Sequence, residues 1–212
     1  MATTAKRTRA RLEVQPLTPA RWPDLVKLFG PGGACAGCWC MWWRLTRAAF
    51  DAARGDAHRR ALERYVKAGN VPGLLAYEDG EPVGWVAVEP REAYSRLERS
   101  RTLARVDDQP VWSVTCFFVA RRHRGKGITR ALVEAAASHA RARGGRLLEA
   151  YPVELAKRTG DASVYHGAAS TFRALGFEEV ARRTATRPIV RKALRAARAG
   201  GRGARAAPPR RR

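Results

Sequence analysis

Residues 113–128 read Ser-Val-Thr-Cys-Phe-Phe-Val-Ala-Arg-Arg-His-Arg-Gly-Lys-Gly-Ile, and the second half of that run has the composition of an anion site. Arg121, Arg122, Arg124 and Lys126 crowd around Gly125 and Gly127. A helical pattern begins directly afterwards at Ile128. Glycine lets the backbone come close to a ligand and adopt conformations closed to other residues. The start of a helix offers unpaired N–H groups and a partial positive charge. With four basic side chains added, the segment predicts a site sized for a pyrophosphate. It is not a P-loop, because the Gly-x4-Gly-Lys-Ser/Thr spacing is missing.

A second reactive group of residues is Cys35-Ala-Gly-Cys38-Trp39-Cys40-Met41-Trp42-Trp43-Arg44. Three cysteines this close suggest thiolate ligation of zinc or an iron–sulfur cluster. The count argues the other way, since a structural zinc takes four ligands, commonly in two Cys-x2-Cys pairs. The one remaining cysteine, Cys116, falls in the middle of an apolar strand. A site built from Cys35, Cys38, Cys40 and Cys116 stays open as an alternative, but no metal is expected. Disulfides are not expected in a reducing compartment.

The elements that would position these residues follow from periodicity and punctuation. Leu12 to Leu17 reads as a strand. Thr18-Pro19 starts a helix, as a hydroxyl cap followed by proline, and Gly30 ends it. Helical sequence resumes after Arg44 and runs to about Lys67. Leu74–Tyr77 and Pro82–Glu89 flank Asp79-Gly80, a strong hairpin signal. Both are apolar on both faces, so the hairpin belongs inside a covered sheet. A charged connection with some helical pattern at 94–103 leads to a buried strand, Val111–Val119. Ile128, Leu132, Ala136 and Ala140 then recur with the helical period as far as Gly144-Gly145. Leu147–Tyr151 is a strand, Val164–Leu175 a helix ended by Gly176, and Phe177–Ala181 and Pro188–Val190 the closing strands. The order β-α-α-β-β-β-α-β-α-β-β is that of a mixed α/β sheet with helices on both faces.

At 212 residues, with 45% hydrophobic and 28% charged side chains, the chain has the balance of one globular domain rather than of a disordered protein. No run approaches the roughly 18 apolar residues of a membrane span. The polar, basic start is unlike a secretory signal, so a cytoplasmic location is expected. More than half of the net charge of +22 sits in the two ends. Lys6, Arg7, Arg9 and Arg11 lie at the front, and nine basic residues fall within 191–212. Residues 1–11 and 195–212 are therefore expected to be disordered basic tails that bind nucleic acid weakly and non-specifically. The domain proper is expected over 12–194.

Arg122-x-x-Gly125-x-Gly127 between a buried strand and a helix resembles the acetyl-CoA motif of the GNAT superfamily of N-acetyltransferases. The upstream Asp-Gly hairpin and the downstream helix-Gly176-Phe177 ending extend the resemblance over most of the chain. The Gly-Cys-Trp-Cys-Met-x-Trp-Arg run is similar to one in an uncharacterised bacterial subset of that superfamily. The resemblance implies a mixed, mostly antiparallel sheet that splays at its central strands. It implies acetyl-CoA as cosubstrate, its diphosphate held by main-chain amides from Arg124 through Gly125, Lys126, Gly127 and Ile128 to Thr129. It further implies that the main chain of Phe117, Phe118 and Val119 pairs with the pantetheine arm. The segment between the first helices would line the acceptor entrance. Trp39, Cys40, Trp43 and Arg44 would there receive a small-molecule amine, with a peptide amine as the second choice. Alternatively, these tryptophans fill the core beneath the helices.

The chemistry departs from the family pattern. The tyrosine that many members place four residues before the final Gly-Phe is Phe172 here. Thr115 and Ser113 stand where some members carry a His or Glu on the central strand. Tyr151, at the end of the strand flanking the expected thioester, is the substitute proton donor. Tyr165, two helical turns before Phe172, is second choice. Glu89 at the end of the hairpin strand would act as a base through water. These departures keep a rival reading open: a nucleic-acid- or ribosome-associated binding protein on a non-catalytic scaffold of the same fold. The sequence carries no signal for oligomeric state.

Overall fold

A computed structural model of the chain describes residues 11–154 and 165–194. Its strands are β1 (Leu12–Pro16), β2 (Gly73–Glu78), β3 (Glu81–Pro90), β4 (Trp112–Val119), β5 (Leu147–Ala150), β6 (Glu178–Arg182) and β7 (Pro188–Ala193). They form one sheet in the order β1-β2-β3-β4-β5-β7-β6. Of the paired strands only β4 and β5 run parallel, so the sheet is mixed and mostly antiparallel. Its helices are α1 (Trp22–Phe29), α2 (Arg47–Asp51), α3 (Asp56–Lys67), α4 (Ser95–Glu98), α5 (Ile128–Ala142) and α6 (Ala169–Ala174). Among the described residues no helix is long and apolar enough to cross a membrane.

Strand β3 explains why its sequence is apolar throughout. Successive side chains point to opposite faces. Trp85 and Ala87 pack with Leu25 of α1 and Leu62 and Val66 of α3, whereas Val86 and Val88 pack with Leu132 and Ala136 of α5. Both faces are covered, so neither set can be polar. The turn between β2 and β3 is made by Asp79 (φ +51°) and Gly80 (φ +84°), the two left-handed residues that an Asp-Gly hairpin needs. Gly84 sets the height of α5 above the sheet. A Cβ there would come within 2.9 Å of the Ile128 side chain, so the first turn of α5 can settle on β3 only over a glycine.

The sheet opens at its centre. Strands β4 and β5 pair over just three positions, Trp112↔Leu148 to Val114↔Ala150. On the other edge of β4, Ala87 pairs with Cys116 and Val88 with Val114, so Thr115 is an extra residue in a bulge. A bulge bends its strand and ends regular pairing. From Thr115 onward β4 leaves β5.

Several expected elements differ. The helix expected over 164–175 is reduced to α6, and Val164 lies outside the described residues. Tyr165 and His166 form a short turn ahead of it. Gly167 (φ +78°) breaks the helix, and a Cβ there would lie 2.8 Å from the Phe172 ring. Tyr165 therefore does not share a helical face with Phe172. The helical stretch before Lys67 is interrupted at Gly55 (φ +53°) into α2 and α3. Thr18 precedes a single 3-10 turn, and its hydroxyl caps nothing. The charged connection at 90–110 is ordered by buried Arg91, which donates to the carbonyls of Leu97 (3.2 Å) and Leu103 (2.7 Å). The basic tails expected over 1–11 and 195–212 lie outside the described residues apart from Arg11.

Candidate active site

The glycine-flanked loop folds as a 3-10 turn, Arg121–His123, followed by Gly125 (φ +75°) and Gly127 (φ +81°). Gly127 is the left-handed N-cap of α5, and no side chain caps that helix. The first amide to bond back is that of Ala131, to the Gly127 carbonyl at 3.2 Å. The amides of Ile128, Thr129 and Arg130 therefore have no intrahelical acceptor. A Cβ built on Gly125 or Gly127 meets nothing within 4 Å, so the space above both glycines is open to a ligand. Two ties fasten the loop to the end of β2: Glu78 accepts from His123 (2.6 Å) and Lys126 (3.4 Å). The Arg124 Nε donates to the Val119 carbonyl at 3.2 Å. Left-handed backbone, open amides and clustered cations suit a diphosphate.

This loop and the opened edge of β4 bound a cleft of about 340 Å³. Of the residues expected to bind the cosubstrate, it is lined by Phe117, Phe118, Val119, Arg124, Gly125, Gly127, Ile128 and Thr129. Arg122 and Lys126 are exposed and are not among its walls. On one edge, the main chain of Phe117–Val119 pairs with Gly84–Val86 of β3. Its other edge lies beyond the last β5 pairing, and among the described residues no strand pairs with it there.

A second cleft, about 490 Å³, adjoins the first. It is lined by Ala34, Cys35, Ala36, Cys38 and Cys40 from the loop after α1, and by Trp42, Trp43, Phe50 and Cys116. Tyr165 lines both clefts, and His166 lines the second. The His166 Nδ1 lies 2.9 Å from the Thr115 carbonyl, the group that the bulge turns out of the sheet. A carbonyl can only accept, so Nδ1 carries the proton and Nε2 is the basic nitrogen. Burial, with Arg187 nearby, lowers the His166 pKa to about 4, which keeps the ring neutral. Burial and the adjacent Cys35 thiol push Tyr165 up to about 12, so it is a phenol at neutral pH.

All four cysteines of the chain line the second cleft. The Cys40 sulfur accepts from the Trp85 indole N–H at 3.1 Å. A hydrogen bond from the Cys116 thiol lowers the Cys40 pKa against the opposing effect of burial, and Cys116 is raised in return. Burial and the neighbouring Cys40 push Cys38 up to about 12. Among the described residues no cluster of three or more His, Cys, Asp or Glu side chains is arranged to hold a metal ion.

The other expected site residues lie elsewhere. Trp39 is 3% exposed, packed on Trp22 and Phe29, and is a plug beneath the cleft wall rather than part of it. Cys40 and Trp43 do line the second cleft. Arg44 does not. Its guanidinium lies between the rings of Tyr65 and Tyr94, 4.8 Å from each, and donates to the Glu89 carboxylate. The other Glu89 oxygen accepts from the Tyr65 hydroxyl at 2.8 Å. Glu89 is thus a counter-ion with both oxygens engaged, and it lines neither cleft. Tyr151 is 1% exposed and also lines neither cleft. Its hydroxyl sits against Arg91 (2.8 Å), Ser113 (2.8 Å) and Glu149, and burial with the Glu149 charge raises its pKa well above 10. The register that sets Ser113 opposite Glu149 draws this hydroxyl into the buried network. His166 went unnoticed in the sequence. The available signal was a His-Gly pair ahead of the last helix, whose use depends on a carbonyl freed 51 residues earlier.

The model of the acetyltransferase (GNAT) family matches residues 39–166, a range that holds the glycine-flanked loop, Tyr165 and His166 but begins after Ala34–Cys38 of the second cleft. No curated protein matches the sequence. Among solved structures, the PaiA N-acetyltransferase from Thermoplasma acidophilum in complex with coenzyme A is 12% identical. It aligns over 86% of this chain and 99% of its own, with a TM-score of 0.51. The structure of yncA from Salmonella typhimurium with its cofactor acetyl-CoA is 16% identical over 89% of this chain and 96% of its own, with a TM-score of 0.50. The chain also spans 33% of a GCN5-related N-acetyltransferase from Kribbella flavida, at 16% identity over 80% of this chain and a TM-score of 0.47. At these identities the likeness is one of fold.

Proposed function

The chain belongs to the acetyltransferase (GNAT) family, and from that premise we propose that it moves an acetyl group from acetyl-CoA to a primary amine bound in the second cleft. The observation that carries this reading is the junction of the two clefts at Tyr165, with His166 beside it on the acceptor side. The cosubstrate supplies an acetyl thioester. The loop amides from Ile128 to Arg130, together with Gly125, Gly127 and Arg124, would hold its diphosphate. The free edge of Phe117–Val119 would hold its extended arm.

The protein's own groups then account for the protons. Only the free amine has the lone pair that attacks the thioester, so the acceptor's ammonium proton must pass to solvent before the bond forms. A base as weak as His166 does not strip a free ammonium. It takes the proton at Nε2 once the forming C–N bond has made the nitrogen acidic. As the C–S bond breaks, the Tyr165 hydroxyl donates to the leaving sulfur and regains its proton from solvent. Glu89 and Tyr151, which were expected in these roles, are better suited to holding the arginines they contact. An amine acceptor, a small molecule ahead of a peptide, fits a cleft of this size.

The test is calorimetric titration with acetyl-CoA, followed by mass detection of acetylated product from a mixture of amines. Saturable one-site binding with product formation is the expected result. Absence of binding at millimolar acetyl-CoA would overturn the proposal.

A further inference from the structure

The walls of the acceptor cleft say what kind of amine it takes. Among the described lining side chains, just Asp51 and Arg54 carry a formal charge at neutral pH. Asp51 is already paired with Arg47 one helical turn before it. The rest of the lining is thiols, methyl groups and rings. A polyamine would bring several ammonium groups against a described lining that holds one carboxylate, Asp51, beside the like charge of Arg54, and an uncompensated charge is expensive to desolvate. A peptide would bury main-chain amides against groups that offer them few hydrogen bonds. A planar apolar body carrying one amine meets neither penalty.

The rings are held in place before any ligand arrives. The Arg96 guanidinium lies 3.8 Å from the Trp42 ring centroid, and the Phe50 ring sits edge-on to Trp42 at 5.1 Å. Phe50 itself stacks on His58 at 4.5 Å, and Trp43 meets His166 edge-on at 5.7 Å. Aromatic plates fixed in this way lose little freedom on binding a further ring.

The facing wall is fixed by strain. Ala34, Ala36, Trp39 and Cys40 all have positive φ, at +68°, +47°, +45° and +54°. Non-glycine residues persist in that region only where surrounding packing over-determines them, and such residues cluster at ligand sites. Here the buried Trp39 indole supplies the packing. It lies so close over Gly33 that a Cβ there would be 2.2 Å from Nε1. The wall carrying Cys35, Cys38 and Cys40 is therefore preformed.

We infer that the acceptor is an arylalkylamine, a single primary amine on a short chain from an aromatic ring. The ring lies between Trp42, Trp43 and Phe50 and the thiol wall, and the amine reaches the junction at Tyr165 and His166. This rests on the acetyltransferase reading above, and the experiment separates the two. With acetyl-CoA saturating, 2-phenylethylamine, tryptamine, spermidine and an alanyl tripeptide are compared by product mass. Acetyl-CoA affinity is measured by calorimetry on the same samples. The arylalkylamines should exceed spermidine and the tripeptide at least tenfold in kcat/KM. Trp42→Ala should raise KM for tryptamine at least tenfold with the acetyl-CoA Kd unchanged, and Trp42→Phe should recover most of that loss.

Three outcomes overturn the inference while leaving acetyl-CoA binding intact: preference for spermidine or the tripeptide, no turnover of any of the four, or an unaltered KM in Trp42→Ala. Failure to bind acetyl-CoA overturns the inference and the acetyltransferase reading together.

Discussion

Gly127 and Gly144 cap opposite ends of α5 with the same φ of +81°, and a Cβ at either meets nothing within 4 Å. Replacing each by alanine therefore imposes the same backbone penalty. The left-handed conformation costs a non-glycine residue about 1–2 kcal/mol. Lower entropy of the unfolded chain returns about 0.4–1 kcal/mol of this. The net loss is on the order of 1 kcal/mol, or about 2–4 °C in Tm for a domain of this size. The two variants should thus melt within a degree or two of each other. They should part company in binding. At Gly127 the added methyl enters the space above the open amides, and a hydrogen bond to a charged oxygen is worth about 1.5–3 kcal/mol. Loss of one such bond weakens acetyl-CoA binding by roughly tenfold to a hundredfold. Gly144→Ala should bind acetyl-CoA as the wild type does. Differential scanning calorimetry gives the first quantity and isothermal titration the second. Equal acetyl-CoA affinities in the two variants would refute the assignment of this loop as the diphosphate cradle.

Four other outcomes follow from named contacts. Tyr165→Phe should lower kcat by about 10²-fold or more, the low end of general acid–base effects, while leaving the acetyl-CoA Kd within twofold; an unchanged kcat removes Tyr165 from the proton path. His166 is held neutral with a folded pKa near 4 against 6.5 unfolded, so the unfolded chain takes up a proton that the folded one refuses. Stability should consequently fall as pH drops from 6.5 towards 4, by about 2 kcal/mol between pH 7 and pH 5 from this group. His166→Asn should flatten that dependence in urea titrations, and an unchanged slope would count against the buried, neutral ring. Arg44→Met leaves the Glu89 carboxylate buried without its counter-ion and should cost about 3–5 kcal/mol. Glu89→Gln should retain turnover at the protein's lowered stability; loss of turnover without loss of stability would restore Glu89 as a base.

Much of this protein was legible along the chain because the signals are local. The Asp79-Gly80 hairpin, the helical period from Ile128 and the glycines at 125 and 127 each depend on residues a few positions apart. Local sterics and hydrogen bonding decide them before the chain is packed. Apolar runs on both faces of β3 likewise announced a covered sheet. The chemistry was not legible in the same way, because each of its determinants is a long-range contact. Arg44, read as an acceptor contact, and Glu89, read as a base, become an ion pair beside Tyr65 only when α3, β3 and the loop after α1 come together. Tyr151 looks like a strand-end hydroxyl until the β4–β5 register delivers Ser113 and Glu149 to it. His166 acquires a fixed tautomer only because a bulge at Thr115 frees one carbonyl. Short-range spacing determined the β2–β3 hairpin, helix α5 and the glycine-flanked loop; where the last helix begins, which charges are spent inside the core, and which polar atoms remain to face the clefts, was decided by the packing of the whole sheet.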